Sequence, residues 1–253
     1  MENIFFTDEG SGEAVVLISG LGGRASFWSQ VVPLLSTHFR VITLDHPGVG
    51  QSQLDAEQPS ITGIADAVIQ ILDHLQIARA HILGHSTGSL VTQTLALKHP
   101  DRVNSIVLSS GWAKPDCRFI DFFHYRKEIL EQMGEDAYNE LTRYMAYPSA
   151  YYGKTFKKEK SGASVENSAN KDMILKRIDM LLNYSCIQEL HTLQLPTLVI
   201  GAKDDYIVPF DHSIQLAQLI ANAQLVELEG GHFTPKVKPH AYAEIIRSFW
   251  EAV

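Results

Sequence analysis

The chain has 253 residues, 45% of them apolar and 20% charged, which suits a large globular core and excludes disordered, collagen-like and coiled-coil chains. Its 29 acidic and 21 basic residues leave a formal charge of −8, and with no basic footprint to neutralise phosphates, nucleic-acid binding is excluded. No run approaches 18 consecutive apolar residues, and the start Met1-Glu2-Asn3-Ile4 lacks the basic and apolar regions of a secretory leader. We therefore expect no membrane association and a cytoplasmic protein, in which Cys117 and Cys186 stay free thiols.

In chain order, Ile4–Phe6 and Ala14–Ile18 are expected as two strands joined by the turn-rich hairpin link Thr7–Gly12. Three more apolar runs follow, at Arg40–Leu44, Ala80–Leu83 and Ser105–Leu108, and two late ones at Pro196–Gly201 and Gln224–Glu227. Between them apolar residues recur at three-to-four spacing, as at Ile64, Val68, Ile71, Leu72 and Leu75, or at Leu90, Thr94, Leu95 and Leu97. Further helices are expected near Ser213–Ile220 and Ala241–Trp250. Apolar strands alternating with amphipathic helices predict an α/β fold, a mostly parallel sheet with helices on both faces.

From Lys114 to His191 the strand pattern stops. Helices are expected at Phe119–Met133, Asp136–Met145 and Lys171–Tyr184, separated by Tyr147–Ser149 and by the polar stretch Lys157–Asn170. Ligands of open α/β sheets bind at the carboxyl ends of the strands, so this insertion reads as a helical lid over that edge. The expected division is a first core part at 1–113, a lid at 114–191 and a second core part at 192–253.

The sharpest local signal is Gly84-His85-Ser86-Thr87-Gly88, between a predicted strand and a predicted helix. Gly-x-Ser-x-Gly in that setting is a nucleophile elbow, which lifts a serine hydroxyl above the sheet. A serine hydroxyl is too weak an acid to attack unaided, so it needs a base and a group to hold that base. The chain order on such a fold is serine, acid, histidine. His232, on the loop Glu229-Gly230-Gly231-His232-Phe233 after the last strand, fits the base. His99, His212 and His240 read as solvated. The acid lies in Gly201-Ala202-Lys203-Asp204-Asp205-Tyr206, where two adjacent aspartates leave the choice open. Two backbone N–H groups should receive the oxyanion: that of Thr87, after the serine, and that of Leu21, in the loop Ser19–Gly23 after the first parallel strand. That glycine-rich loop matches neither Gly-x-Gly-x-x-Gly nor the phosphate loop ending in Lys-Ser/Thr, so no nucleotide cofactor is expected. The 11 histidines show no metal-binding spacing, so no metal is expected either.

These motifs, in this order over essentially the whole chain, resemble the α/β-hydrolase superfamily. The resemblance implies that Asp205, four residues before Pro209, is the acid. Asp45–Ser52 is similar to the superfamily's Asp-x-Arg-Gly-x-Gly-x-Ser turn, with Pro47 in place of Arg, and Ser19 stands where many relatives have His. Leu17–Gly23 with Trp28, Gly111-Trp112, Tyr147-Pro148, Asn170-Lys171, Leu175–Ile178 and Gly230–His232 resemble the hydrolase branch of the Rut pyrimidine-degradation pathway. That branch implies a small anionic carbamate or aminoacrylate substrate and a monomer or homodimer. The 3-oxoadipate enol-lactonases, sharing less of the lid, are a second branch, and a hydrolase-fold receptor is a third expectation. An anionic substrate would profit from a cation, for which Arg24, Arg118, Arg126 and Arg177 are candidates, each also readable as a surface arginine. Trp28, Trp112, Tyr147 and Phe233 are expected to flank the cleft or to pack the lid and core.

Overall fold

The computed structural model describes residues 3–54, 58–156 and 171–253. Seven strands form one sheet: β1 (Phe6–Glu9), β2 (Ala14–Ile18), β3 (Arg40–Leu44), β4 (Ala80–His85), β5 (Val103–Ser109), β6 (Thr197–Ala202) and β7 (Gln224–Leu228). Their spatial order is β1-β3-β2-β4-β5-β6-β7, parallel throughout except for β1 against β3. The helices are α1 (Val32–Leu35), α2 (Ile61–His74), α3 (Thr87–Lys98), α4 (Cys117–Ala146), α5 (Ser149–Thr155), α6 (Lys171–Leu182), α7 (Phe210–Leu219), α8 (Thr234–Val237) and α9 (Pro239–Trp250). No helix among the described residues is long and apolar enough to cross a membrane.

Because successive strand side chains point to opposite faces, the apolar runs feed two cores. Val16, Ile18, Ile42, Ile82 and Ile106 face a cluster completed by α2, α3 and the helices between β5 and β6. Val15, Leu17, Val41, Leu83 and Val107 face the other, completed by α1 and α9. The helix α2 is fixed at its start by Ser60, whose hydroxyl accepts from the Gly63 N–H at 2.9 Å. In α3 every residue from Thr87 to Ala96 is buried, so this helix lies inside the protein rather than on it.

The expected β1–β2 hairpin does not form. Residues read as the turn, Thr7 to Glu9, are extended and belong to β1, which pairs with β3 in the register Phe6↔Leu44. The cause is cross-strand chemistry: Thr7 and Thr43 hydroxyls meet at 2.9 Å and Asp8 pairs with Arg40 at 2.7 Å. β2 thereby gains parallel neighbours on both sides, as its wholly buried AVVLI sequence requires.

Between β5 and β6 lie α4, α5 and α6. Asp116 caps α4 by accepting from the Phe119 N–H at 2.7 Å. Gly134, at φ +87°, breaks α4 between the two expected helices. Ser149, expected in a separator, starts α5 after Pro148. The expected polar stretch Lys157–Asn170 lies outside the described residues.

Candidate active site

The chain passes from β2 to β3 on one side and then crosses to β4 on the other, so β2 and β4 flank the point where the strand order reverses. Ligand crevices of open sheets form at that point, at the strands' carboxyl ends. Ser86 leaves the end of β4 there with φ 55° and ψ −118°, a strained conformation for a residue with a side chain. The turn closes through Ser86 N–H donating to the Ser109 carbonyl and Ser89 N–H to the Ser86 carbonyl, both at 2.8 Å. Its glycines are required by contact: a Cβ on Gly84 would strike the Gly88 carbonyl, and one on Gly88 the Ile18 carbonyl.

His232 is brought to the carboxyl edge by the loop after β7, and its Nδ1 lies 2.8 Å from Asp205 Oδ2. Asp205 is buried, and its other oxygen accepts from the Ile207 and Val208 N–H groups at 2.9 and 2.8 Å. A carboxylate facing Nδ1 keeps the proton there and leaves Nε2 as the basic nitrogen. Asp204 does something different: its carboxylate accepts from the Gly230 and Gly231 N–H groups at 2.9 and 3.0 Å, holding the loop that carries His232.

The loop after β2 meets the elbow directly. A Cβ built on Gly20 would lie 3.2 Å from the Ser86 Cβ, so Leu21 and Thr87 belong to two adjoining turns. The inserted helices reach the loops that carry Leu21, Asp205 and His232. Arg177 of α6 donates through Nε to the Leu21 carbonyl at 2.8 Å. Arg118 of α4 donates to the Tyr206 carbonyl beside Asp205 at 2.7 Å. At the end of α4 the Ala146 carbonyl accepts from the Phe233 N–H, next to His232, at 3.3 Å.

With that geometry in place, the comparisons with known proteins are decisive about ancestry. Residues 13–239 match the family model described as alpha/beta hydrolase fold. The chain belongs to the α/β-hydrolase family. Among curated members of this family it is 31% identical, over 97% of its length and 95% of the relative's, to the Rhizobium rhizogenes protein named "Putative carbamate hydrolase RutD". It is 33% identical to the protein of that name from Pseudomonas syringae pv. syringae, over 93% of this chain and 92% of the relative. Among solved structures it is similar to the enol-lactonase from Burkholderia xenovorans LB400, with TM-score 0.88, 24% identity and coverage of 98% and 96% of the two chains. The chain is a hydrolase, and over nearly its whole length it is similar to the proteins that carry that carbamate hydrolase name.

The structure separates the alternatives open for the candidate arginines and aromatics of this hydrolase. Arg126 and Arg177 are buried rather than on the surface. Arg126 is stacked over Tyr138 and Phe123 and donates to Thr142 within α4, an arrangement in which ring faces replace water around the charge. Arg118 is exposed. Arg24 is half-buried beside the Asp45 turn, where a Cβ on Gly50 would lie 3.0 Å from its guanidinium. Trp28 and Trp112 are fully buried: Trp28 packs with Tyr242 in one core, and Trp112 with Phe119 in the other. Tyr147 and Phe233 do meet beside His232, their rings 5.2 Å apart edge to face.

His212, expected in solvent, is buried in α7 against Phe119, 3.3 Å from Asp116. Burial lowers its pKa, with Asp116 opposing. Sequence reasoning also passed over His85, which is wholly buried, stacks on Phe27 and lies 5.0 Å from the His232 ring. Burial, then the charges of His232 and Lys236, push its pKa well down, which favours the neutral ring. Its signal lay in the elbow motif itself, where it precedes Ser86. Among the described residues no group of three or more His, Cys, Asp or Glu could hold a metal.

Proposed function

We propose that this hydrolase uses Ser86, His232 and Asp205 as a catalytic triad on a small carbonyl compound, and that its substrate is the carbamate or aminoacrylate of pyrimidine nitrogen breakdown. The observation that carries the chemistry is the strained Ser86 at the carboxyl end of β4, with a buried His232–Asp205 pair on the same edge. The relatives' shared name, over nearly the full chain, supports the carbamate class.

In this reading His232 Nε2 takes the Ser86 proton as Oγ attacks the carbonyl carbon. The oxyanion is received by the Leu21 and Thr87 N–H groups. Asp205 stabilises the imidazolium and keeps its orientation. The carbon–nitrogen bond breaks as the leaving nitrogen takes the proton from His232. Water then gives a proton to His232 and attacks the serine ester, and Ser86 recovers its proton on release. The helices α4 to α6, with their bonds to the loops that carry Leu21, Asp205 and His232, act as a lid domain between core parts 1–113 and 192–253.

The test is hydrolysis of p-nitrophenyl esters from acetate to octanoate, followed by carbamate, aminoacrylate and an enol-lactone, with wild type and Ser86→Ala. Short-chain turnover lost in Ser86→Ala, with carbamate preferred over the enol-lactone, is the expected result. Folded protein inactive on every ester would overturn the acyl-enzyme route. Ammonia release from aminoacrylate that survives Ser86→Ala would point to acid–base catalysis by His232 alone.

A further inference from the structure

We propose that Arg177 is a positioning residue: from the inserted helix α6 it fixes the turn that carries the Leu21 N–H, so the oxyanion cradle is complete only when that helix is docked. This rests on the Ser86 reading above.

Arg177 is fully buried, and among the described residues it makes no ion pair with a carboxylate. A guanidinium in that setting has given up its hydration, a cost that an apolar side chain would not carry. A methionine of similar length would fill the space without that cost. What methionine cannot do is donate in two directions. Arg177 Nε donates to the Leu21 carbonyl at 2.8 Å, and a second nitrogen donates to His46 Nδ1, also at 2.8 Å. Arginine has only donors, so His46 must accept at Nδ1 and carry its proton on Nε2. Burial, then the charge of Arg177, hold the His46 pKa well below its ordinary value, which keeps that acceptor lone pair free of a proton. Burial lowers the Arg177 pKa to about 10, so the guanidinium is still charged at neutral pH.

The acceptors belong to one tight structure. Gly23 N–H donates to the Gly20 carbonyl at 2.9 Å, closing the turn around Leu21, and His46 N–H donates to the Gly23 carbonyl at 2.7 Å. A Cβ on Gly23 would lie 3.0 Å from the Arg177 guanidinium and 3.1 Å from the His46 ring. Arg177 thus grips the turn at its apex and at its base at once. The Leu21 N–H shares a peptide plane with the Gly20 carbonyl, which the Gly23 N–H holds, while Arg177 holds the next plane through the Leu21 carbonyl. The two planes meet at the Leu21 Cα, so together they fix the donor's direction. A cradle donor displaced by about 1 Å costs on the order of a hundredfold in rate.

The experiment compares wild type, Arg177→Met, Arg177→Lys, Lys127→Met and Ser86→Ala on p-nitrophenyl acetate, with melting temperatures for all. Lys127 bonds Asp179 at 2.6 Å between α4 and α6, a partly exposed ion pair whose loss removes one contact of the same helix without undocking it or touching the turn. We expect Arg177→Met to lower kcat by about 30- to 100-fold with KM within about threefold. Arg177→Lys, with an ammonium unable to span both acceptors, should lose about five- to tenfold in kcat. Lys127→Met should keep the wild-type kcat. A kcat for Arg177→Met within threefold of wild type, or an equal loss in Lys127→Met, overturns the positioning role while Ser86→Ala stays dead. Activity in Ser86→Ala overturns the underlying reading and this inference with it. Should Arg177→Met not fold, a wild-type kcat in Arg177→Lys overturns the proposal by itself.

Discussion

Asp205 holds His232 by a 2.8 Å contact at Nδ1, while Asp204, its immediate neighbour, accepts from the backbone N–H groups of Gly230 and Gly231. One carboxylate faces the imidazole and the other faces the loop that presents it. Asp205→Asn should therefore favour the wrong imidazole tautomer and lower kcat by about 10³- to 10⁴-fold, the scale known for such a change in a serine protease. Asp204→Asn keeps an acceptor oxygen and removes only its charge, so the loss should stay within about tenfold, with a lower melting temperature. Steady-state kinetics on a short ester decides it. Equal losses would mean that the two aspartates share one role.

The elbow makes a prediction about stability rather than rate. A Cβ on Gly88 would meet the backbone of β2 at Ile18, which cannot rotate away, whereas a Cβ on Gly22 has nothing within 4 Å. Gly88→Ala should lose about 3 kcal/mol or more, a fall in melting temperature of roughly 6–12 °C for a chain of this size. Gly22→Ala should melt within a degree or two of wild type. Calorimetry on both variants checks the contrast, and a wild-type melting temperature for Gly88→Ala would refute the close approach.

The contrast between legible and illegible parts has a physical cause. β2 to β6 could be read because their burial on both faces leaves nearly unbroken apolar runs. β1 could not, because a half-exposed edge strand of Thr, Asp and Glu has the composition of a turn, and its partner lies over thirty residues away in β3. The same division holds at the site. Ser86 and the glycines around it are one local turn, so spacing reveals them. Arg177 sits on an amphipathic helix where a buried arginine and a solvated one look alike, and what distinguishes them, the Leu21 carbonyl and the His46 ring, lies 156 and 131 residues away. His212 reads as solvated for a related reason: a helix pattern does not say what packs on its polar side.

The cysteines give an inexpensive check on burial. Cys117 is exposed and Cys186 is buried, its thiol bonded to Gln93 Oε1 at 2.9 Å and pushed up to about 11 chiefly by burial. The thiolate is the reactive form, so a disulfide reagent at pH 8 should modify one thiol quickly and the second only after denaturant is added. Two fast thiols would show α6 and its neighbours opening readily, and none would show a bridge between the cysteines.

The buried histidines set how stability responds to acid. Burial holds His46 and His85 well below their ordinary pKa, and His81 and His212 are lowered too. In the unfolded chain the same rings take up protons below about pH 6.5. The unfolded state then binds more protons than the folded one, so stability falls as pH drops through that value and continues to fall toward the lowered folded values. Each ring still neutral in the fold adds at most about 1.4 kcal/mol per pH unit to that slope, and His46 and His85, the most strongly lowered, add the most. Urea denaturation from pH 7.5 to 5.0 should show the midpoint constant above pH 7 and dropping steeply below 6.5. His46→Gln removes one of the two strong contributors and should flatten the slope, by at most about 1.4 kcal/mol per pH unit, whatever it does to stability at pH 7.5. An unchanged slope in that variant would mean that His46 is protonated in the folded protein, and a protonated Nδ1 could not accept from Arg177.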